Sequence, residues 1–261
     1  MKIRLLIFIY FLCFYFGYSF AQETRQKYVG IEAGMTVMGS EMSNMDYVRG
    51  NISDYYDGYS TNSLTSLTYR SFVGIKYEIY SLNDRFGLLG GLRFSRMNSS
   101  IGKSDYWTSG TNYFYWLYRQ EGINTEYLKV KEINQTSDYI GIPLELRFFP
   151  AKRPHLFRLY FKLGAEINYL IQTQKDLIFY NHTMDPYKQD LLEKVGQPKT
   201  FYSSLYGGGG IRFGKDMKPS VSIEMCMPYL FLTSESAGLV NPIVGGGFQV
   251  NIQIPIKSKV Q

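Results

Sequence analysis

From Lys27 to Ile256 the chain reads as eight stretches in which apolar and polar residues alternate, and the gaps between them run long, short, long, short, long, short, long. A period of two is the mark of a β-strand with one face in an apolar medium. The first stretch, about Lys27 to Met38, sets Val29, Ile31, Ala33, Met35 and Val37 against Tyr28, Gly30, Glu32, Gly34 and Thr36. The second runs near Tyr69 to Tyr80, the third from Phe86 to Phe94 and the fourth from Tyr139 to Phe148. The fifth, Phe157 to Tyr169, is the cleanest alternation in the chain; the sixth (Phe201 to Phe213), seventh (Val221 to Leu232) and eighth (Pro242 to Ile256) complete the set. Pro143 and Pro228 interrupt strands, which is tolerable at a bulge or where a ladder bond is already missing.

Strands joined alternately by tight turns and long loops predict an all-β fold, an eight-stranded antiparallel up-and-down transmembrane β-barrel with long extracellular loops. Closure satisfies every backbone group internally, and the tight turns and both termini then lie in the periplasm. Alternation alone would also suit a secreted barrel with an apolar ligand cavity. Aromatics at strand ends on the apolar parity argue for the membrane: Phe86, Phe94, Phe148, Phe157, Tyr169, Phe201, Phe213 and Tyr229 are assigned to girdles at the two interfaces. At about 3.3 Å per residue and a tilt of about 40°, the steps between them span on the order of 20 to 30 Å, the height of a bilayer's apolar zone.

With the apolar face on lipid, the other face must fill a narrow lumen. It carries Glu32, Glu78, Glu145, Glu166 and Glu224 with Lys76, Arg93, Arg147, Arg158, Lys162 and Arg212. Acids and bases nearly balance, which suits a paired polar core; turned to lipid, each Arg or Lys near the midplane would cost about 2 to 4 kcal/mol. The alternative reading of these charges is a narrow ion or proton path.

The N-terminus does not share the alternation. Lys2 and Arg4 precede an unbroken apolar run from Leu5 to Phe16, and Ser19-Phe20-Ala21 supplies small residues at a cleavage site. Residues 1–21 are expected to be a cleaved signal peptide and 22–261 a single barrel domain. Two of the six net positive charges lie in that leader, and the rest are scattered, so no nucleic-acid-binding stripe is formed. Cys226 is the only cysteine after the leader, which excludes an internal disulfide and a cysteine metal cage. No cofactor is expected, and the partners implied are outer-membrane lipid around a monomeric barrel.

Candidate chemistry is sparse. Gly209 to Lys215 spells G-x-x-x-x-G-K, but Asp216 stands where Ser or Thr should reach magnesium, and the stretch ends a strand instead of opening a helix. His155 falls in a short turn and His182 in the third long loop. A rim hydrolase acting on lipid or peptide would use His182 as base, with Asp176, Asp185 and Ser203 or Ser204 nearby in sequence. Loop two, about Met97 to Asp138, holds Tyr106, Trp107, Tyr113, Phe114, Tyr115, Trp116 and Tyr118. Such aromatic density either extends strands three and four above the membrane and packs there, or forms a contact surface for a protein or glycan.

Tyr139-Ile-Gly-Ile-Pro-Leu-Glu-Leu-Arg-Phe-Phe-Pro150, with Phe161-Lys-Leu-Gly-Ala-Glu-Ile-Asn-Tyr-Leu170 after a short turn, resembles the central hairpin of the PorT-like outer-membrane β-barrel proteins of Bacteroidota. The Gly-rich sixth strand and Gly245 to Asn251 extend the likeness. The resemblance implies a small monomeric barrel of a family mostly without assigned function, whose namesake takes part in type IX protein secretion, and it offers no catalytic residues; the filled lumen, the aromatic loops and the lack of a catalytic set lead to the expectation of a non-enzymatic envelope component.

Overall fold

The computed structural model describes residues 26–42, 48–49, 64–80, 85–103, 113–122, 124–151, 156–215, 218–234 and 236–256. The expected leader, Tyr106, Trp107 and His155 lie outside the described residues. The strands are β1 (Lys27–Met42), β2 (Val48–Arg49), β3 (Leu64–Tyr80), β4 (Phe86–Lys103), β5 (Phe114–Glu121), β6 (Asn124–Phe148), β7 (Phe157–Phe179), β8 (Phe201–Phe213), β9 (Ser220–Phe231) and β10 (Val240–Ile256). A 3-10 turn, His182–Tyr187, leads into the short helix α1, Lys188–Lys194.

Eight of these strands close a ring in the order β6-β4-β3-β1-β10-β9-β8-β7, with β6 pairing back to β7 and every pairing antiparallel. The remaining two stand outside the ring: β5 pairs the N-terminal part of β6, from Asn124 to Val130, and β2 pairs β5. The walls are uneven. β6 runs 25 residues and β7 23, whereas β8 has 13 and β9 12, so one side of the barrel rises well above the other at the long-loop end.

Facing follows the alternation. Leu159, Phe161, Leu163 and Ile167 on β7 are each 60% or more exposed, while Tyr160, Lys162, Gly164 and Glu166 on the alternate parity are buried. In water such a surface would be untenable; as the hydrocarbon-facing band of a bilayer-spanning barrel it is what the medium selects. Rings mark its limits: Phe86 against Phe148 at 5.2 Å and Phe157 opposite Phe213 at the short-turn end, Phe94 and the Tyr169–Phe201 pair at 4.9 Å at the other.

Tyr229 departs from that assignment. It is 2% exposed and points into the lumen. The cause is a bulge in β9: Cys226 and Tyr229 face Gly208 and Tyr206 on β8 and Gly247 and Gly245 on β10, so two β9 residues stand against one on each neighbour. Met227 and Pro228 therefore both point outward and the parity of everything after them is reversed. Pro228 sits in the bulge itself, where its missing N–H breaks no regular ladder. Pro143 acts differently: the β4–β6 register is the same on both sides of it, but no pairing is formed between Gly90↔Leu144 and Arg93↔Gly141.

Candidate functional site

The lumen is built from residues that the pleat turns inward from all eight wall strands. At the short-turn end, Tyr28, Tyr80, Phe149 and Tyr160 form an aromatic floor, with Tyr80 5.6 Å from Tyr28 and 5.5 Å from Phe149. Above the floor lies an ionic layer. Four of its five carboxylates touch two bases each, and Glu145 touches three, Arg93 also standing 3.6 Å from it. Glu32 accepts from Lys76 at 2.5 Å and Arg93 at 2.8 Å; Glu145 takes Lys76 at 2.7 Å and Arg147 at 3.3 Å. Glu166 holds Arg70 and Arg93, Glu224 holds Arg147 at 2.7 Å and Lys162 at 2.5 Å, and Glu78 meets Arg147 at 3.3 Å and Arg212 at 3.4 Å. Arg158 stacks its guanidinium 4.1 Å over the Phe149 ring.

Amides and hydroxyls fill the remaining acceptor positions. Gln253 donates to Glu78 and Gln249 to Glu224, each at 2.5 Å, and the Tyr206 hydroxyl donates to Glu145 at 2.9 Å. Tyr206 and Tyr229 stack nearly parallel, 5.3 Å apart. This stack needs a glycine beside it: a Cβ on Gly164, opposite Tyr206 across β7–β8, would stand 2.5 Å from that ring. Arg70 was not singled out from the sequence, yet it is fully buried and binds Glu166, Asn168 and Tyr229. The signal for it is parity: Arg70 lies inside the stretch Tyr69 to Tyr80 and shares the inward parity of Lys76 and Glu78.

The long-loop end is sealed by an apolar cap. Phe114 and Trp116 of β5, Leu128, Val130 and Ile133 of β6, Leu177 and Phe179 of β7, Leu191 and Val195 around α1, Ala237 and Leu239 before β10, and Val240 at its start form one buried cluster over the ionic layer. The Tyr139 hydroxyl joins the two, donating to the Ser236 carbonyl at 3.0 Å. Lys175 fixes α1 to the wall, its ammonium donating to the Val195 carbonyl at 2.5 Å and the Leu192 carbonyl at 3.4 Å, where the helix leaves carbonyls unsatisfied. Burial pushes that ammonium below the ordinary lysine value. Lys188, at 2.5 Å, binds Asp176 from the other end of the helix, and its hydrogen bond holds the aspartate below the usual carboxylate range.

Outside the cap the β5–β6 hairpin shows a second face. Phe114 and Trp116 point into the cap, while Tyr113 and Tyr115, 5.4 Å apart, lie on the opposite side. Tyr180 packs 4.8 Å from Tyr113, Tyr127 lies 6.4 Å from Tyr115, and the Lys129 ammonium sits 4.8 Å over the Tyr113 ring. Tyr118 turns to α1 instead: its ring is 4.9 Å from Tyr187 and its hydroxyl donates to Asp190 at 3.2 Å.

Of the residues suggested for a rim hydrolase, His182 meets Asp185, while Asp176, Ser203 and Ser204 are engaged elsewhere. His182 is almost wholly exposed, with Nδ1 3.4 Å from Asp185; Asp176 is engaged by Lys188; Ser203 is 3.4 Å from the Thr233 hydroxyl. Ser204 faces the lumen, 2.8 Å from the Tyr229 hydroxyl. Likewise Gly209 to Phe213 lie within β8 and Gly214 follows its end, and among the described residues no helix follows them to receive a phosphate.

No protein-family model matches the chain, and no curated protein matches it. Among solved structures it is similar to the outer membrane protein OprG from Pseudomonas aeruginosa, at 13% identity and a TM-score of 0.45 over 89% of this chain and 97% of that one. It is also similar to Ail, the attachment invasion locus protein of Yersinia pestis, at 12% identity and a TM-score of 0.33 over 88% and 99% of the two chains. Neisserial surface protein A aligns at 10% identity and a TM-score of 0.34, over 89% and 99%.

Proposed function

We propose that the protein is a non-enzymatic outer-membrane barrel that holds its β5–β6 hairpin outside the cell as a contact surface for another envelope component. In this reading the short turns and both termini lie in the periplasm and the capped end faces outward. The observation that carries it is the pairing of a barrel filled from floor to cap with a tyrosine cluster on the hairpin's outer side, where Tyr127 and Tyr180 are 37% and 54% exposed. A filled lumen leaves the loops as the place for recognition, and rings that expose apolar faces with hydroxyl tips suit a protein or glycan surface. The likeness to PorT-like barrels points to secretion or envelope machinery as the class of partner. The dispersal of His182, Asp176 and Ser204 supports a non-enzymatic role.

A photocrosslinking amino acid at position 127, activated in intact cells, tests this. The expected result is one dominant adduct that disappears in a Tyr115→Ala/Tyr180→Ala background although the barrel still assembles. An adduct at 127 that survives this change, or none at 115, 127 and 180 alike, overturns the reading.

A further inference from the structure

The two ends of the barrel differ in charge. At the long-loop end exposed acids and bases are mixed: Asp176 and Asp190 stand beside Lys188, and Glu121 beside Arg119. At the short-turn end Lys27, Arg85, Lys215 and Lys218 are all exposed, and among the described residues that end presents no exposed acid; Asp84 and Asp216, next to Arg85 and Lys215 in the sequence, lie outside the described residues. The four are spread around the ring, at the start of β1, just before β4, and on either side of the β8–β9 turn.

The height of these cations is fixed by the girdle. Arg85 immediately precedes Phe86, and Lys215 follows Phe213 by two residues, so the charged heads stand just outside the rings that mark the end of the hydrocarbon. That is the level of lipid phosphates, and long basic side chains reach it with their stems along apolar surface.

We infer that the short-turn rim, through Lys27, Arg85, Lys215 and Lys218, binds the headgroups of anionic phospholipids in the adjoining leaflet. The occupant is a lipid and not a soluble anion, because the cations form a ring at headgroup level around an apolar wall instead of converging on one pocket. The inference rests on the reading above in one respect, that this end lies in the phospholipid leaflet facing the periplasm.

The test uses the complete barrel in phosphatidylcholine vesicles carrying spin-labelled phosphatidylglycerol or spin-labelled phosphatidylcholine, with the motionally restricted fraction read by electron spin resonance. Phosphatidylglycerol is expected to associate about three- to fivefold more strongly at low salt, and the preference to shrink in concentrated salt. The Lys27→Gln/Arg85→Gln/Lys215→Gln/Lys218→Gln variant should lose it while remaining a heat-modifiable barrel. If that variant does not fold, the Lys27→Gln/Arg85→Gln and Lys215→Gln/Lys218→Gln pairs should each reduce the preference. Equal association of the two lipids, or a preference indifferent to these changes, overturns the inference. Loss of the preference on adding inorganic phosphate at constant ionic strength would identify a discrete phosphate site and overturn it as well. Vesicle selectivity does not depend on orientation, so orientation is read separately: a Lys215→Cys variant in cells should react with an impermeant thiol reagent only after the outer membrane is breached.

Discussion

Glu166 illustrates how an ionic interior can be stable at all. It is fully buried between Arg70 and Arg93, and Tyr229 lies 3.4 Å from the same carboxylate. Neutralising it would leave two buried guanidinium groups short of a shared acceptor, and removing one partner of such a cluster costs about 3–5 kcal/mol. Glu166→Gln should therefore strongly lower the denaturant midpoint of the folded barrel, and Arg70→Met in the same chain should restore part of it. Tyr229 gives a sharper case, because a girdle tyrosine and a lumen tyrosine respond differently to loss of the hydroxyl. With its hydroxyl 2.5 Å from Arg70 and 2.8 Å from Ser204, Tyr229→Phe is expected to cost about 1–3 kcal/mol in equilibrium unfolding, whereas Tyr169→Phe at the lipid interface should change little. The chemical types in the lumen were legible from parity alone. Tyr229 was misplaced because parity is a count, and one extra residue at Met227–Pro228 inverts every position after it. Nothing in the composition of that stretch distinguishes a bulge from a regular strand, except the proline.

At the scale of elements, the strands of the membrane zone could be read from the chain because hydrocarbon on one side and paired charge on the other enforce strict alternation. Above the membrane that constraint ends. β4 and β6 continue to Lys103 and back to Asn124, far past the sequence limits of Phe94 and Tyr139, through residues such as Asn98, Asn134 and Thr136 that carry no apolar period. Residues 114–121 form a separate strand on the free edge of β6 where β4 has stopped, an arrangement set by tertiary packing of Phe114 and Trp116. α1 has only seven residues and depends on its anchors. Lys175→Met should speed amide exchange across 188–195 while leaving the wall strands protected. The Asp176–Lys188 anchor sets a pH dependence. Because the folded-state pKa of Asp176 is lowered, its contribution is present above the ordinary aspartate value and is lost as pH falls through the depressed one. Acid should loosen α1 before the barrel unfolds, seen as faster exchange confined to that segment; both partners are substantially exposed, so salt should weaken the same anchor.

For the whole molecule, the question is whether the ring of eight strands encloses a path. Three barriers lie in series: the Tyr28, Tyr80, Phe149 and Tyr160 floor, the ionic layer, and the cap of Phe114, Trp116, Leu191 and Leu239. Each resists by different physics. The floor and the cap exclude water by packing, while the middle layer holds its ions in mutual contacts that a passing ion would have to displace. A barrel of this width is filled by its own side chains, and here Arg70, Arg93, Arg147 and Lys76 are among the largest fully buried ones. Reconstituted in planar bilayers the protein is expected to be electrically silent. More tellingly, Leu191→Asp/Leu239→Asp, which should disrupt the cap, is expected to stay silent too, because floor and ionic layer persist below it. Steady single-channel conductance in the intact chain would show that the lumen rearranges in the bilayer. Conductance appearing only in the cap variant would assign the seal to the cap alone and reduce the ionic layer to a hydrated lining.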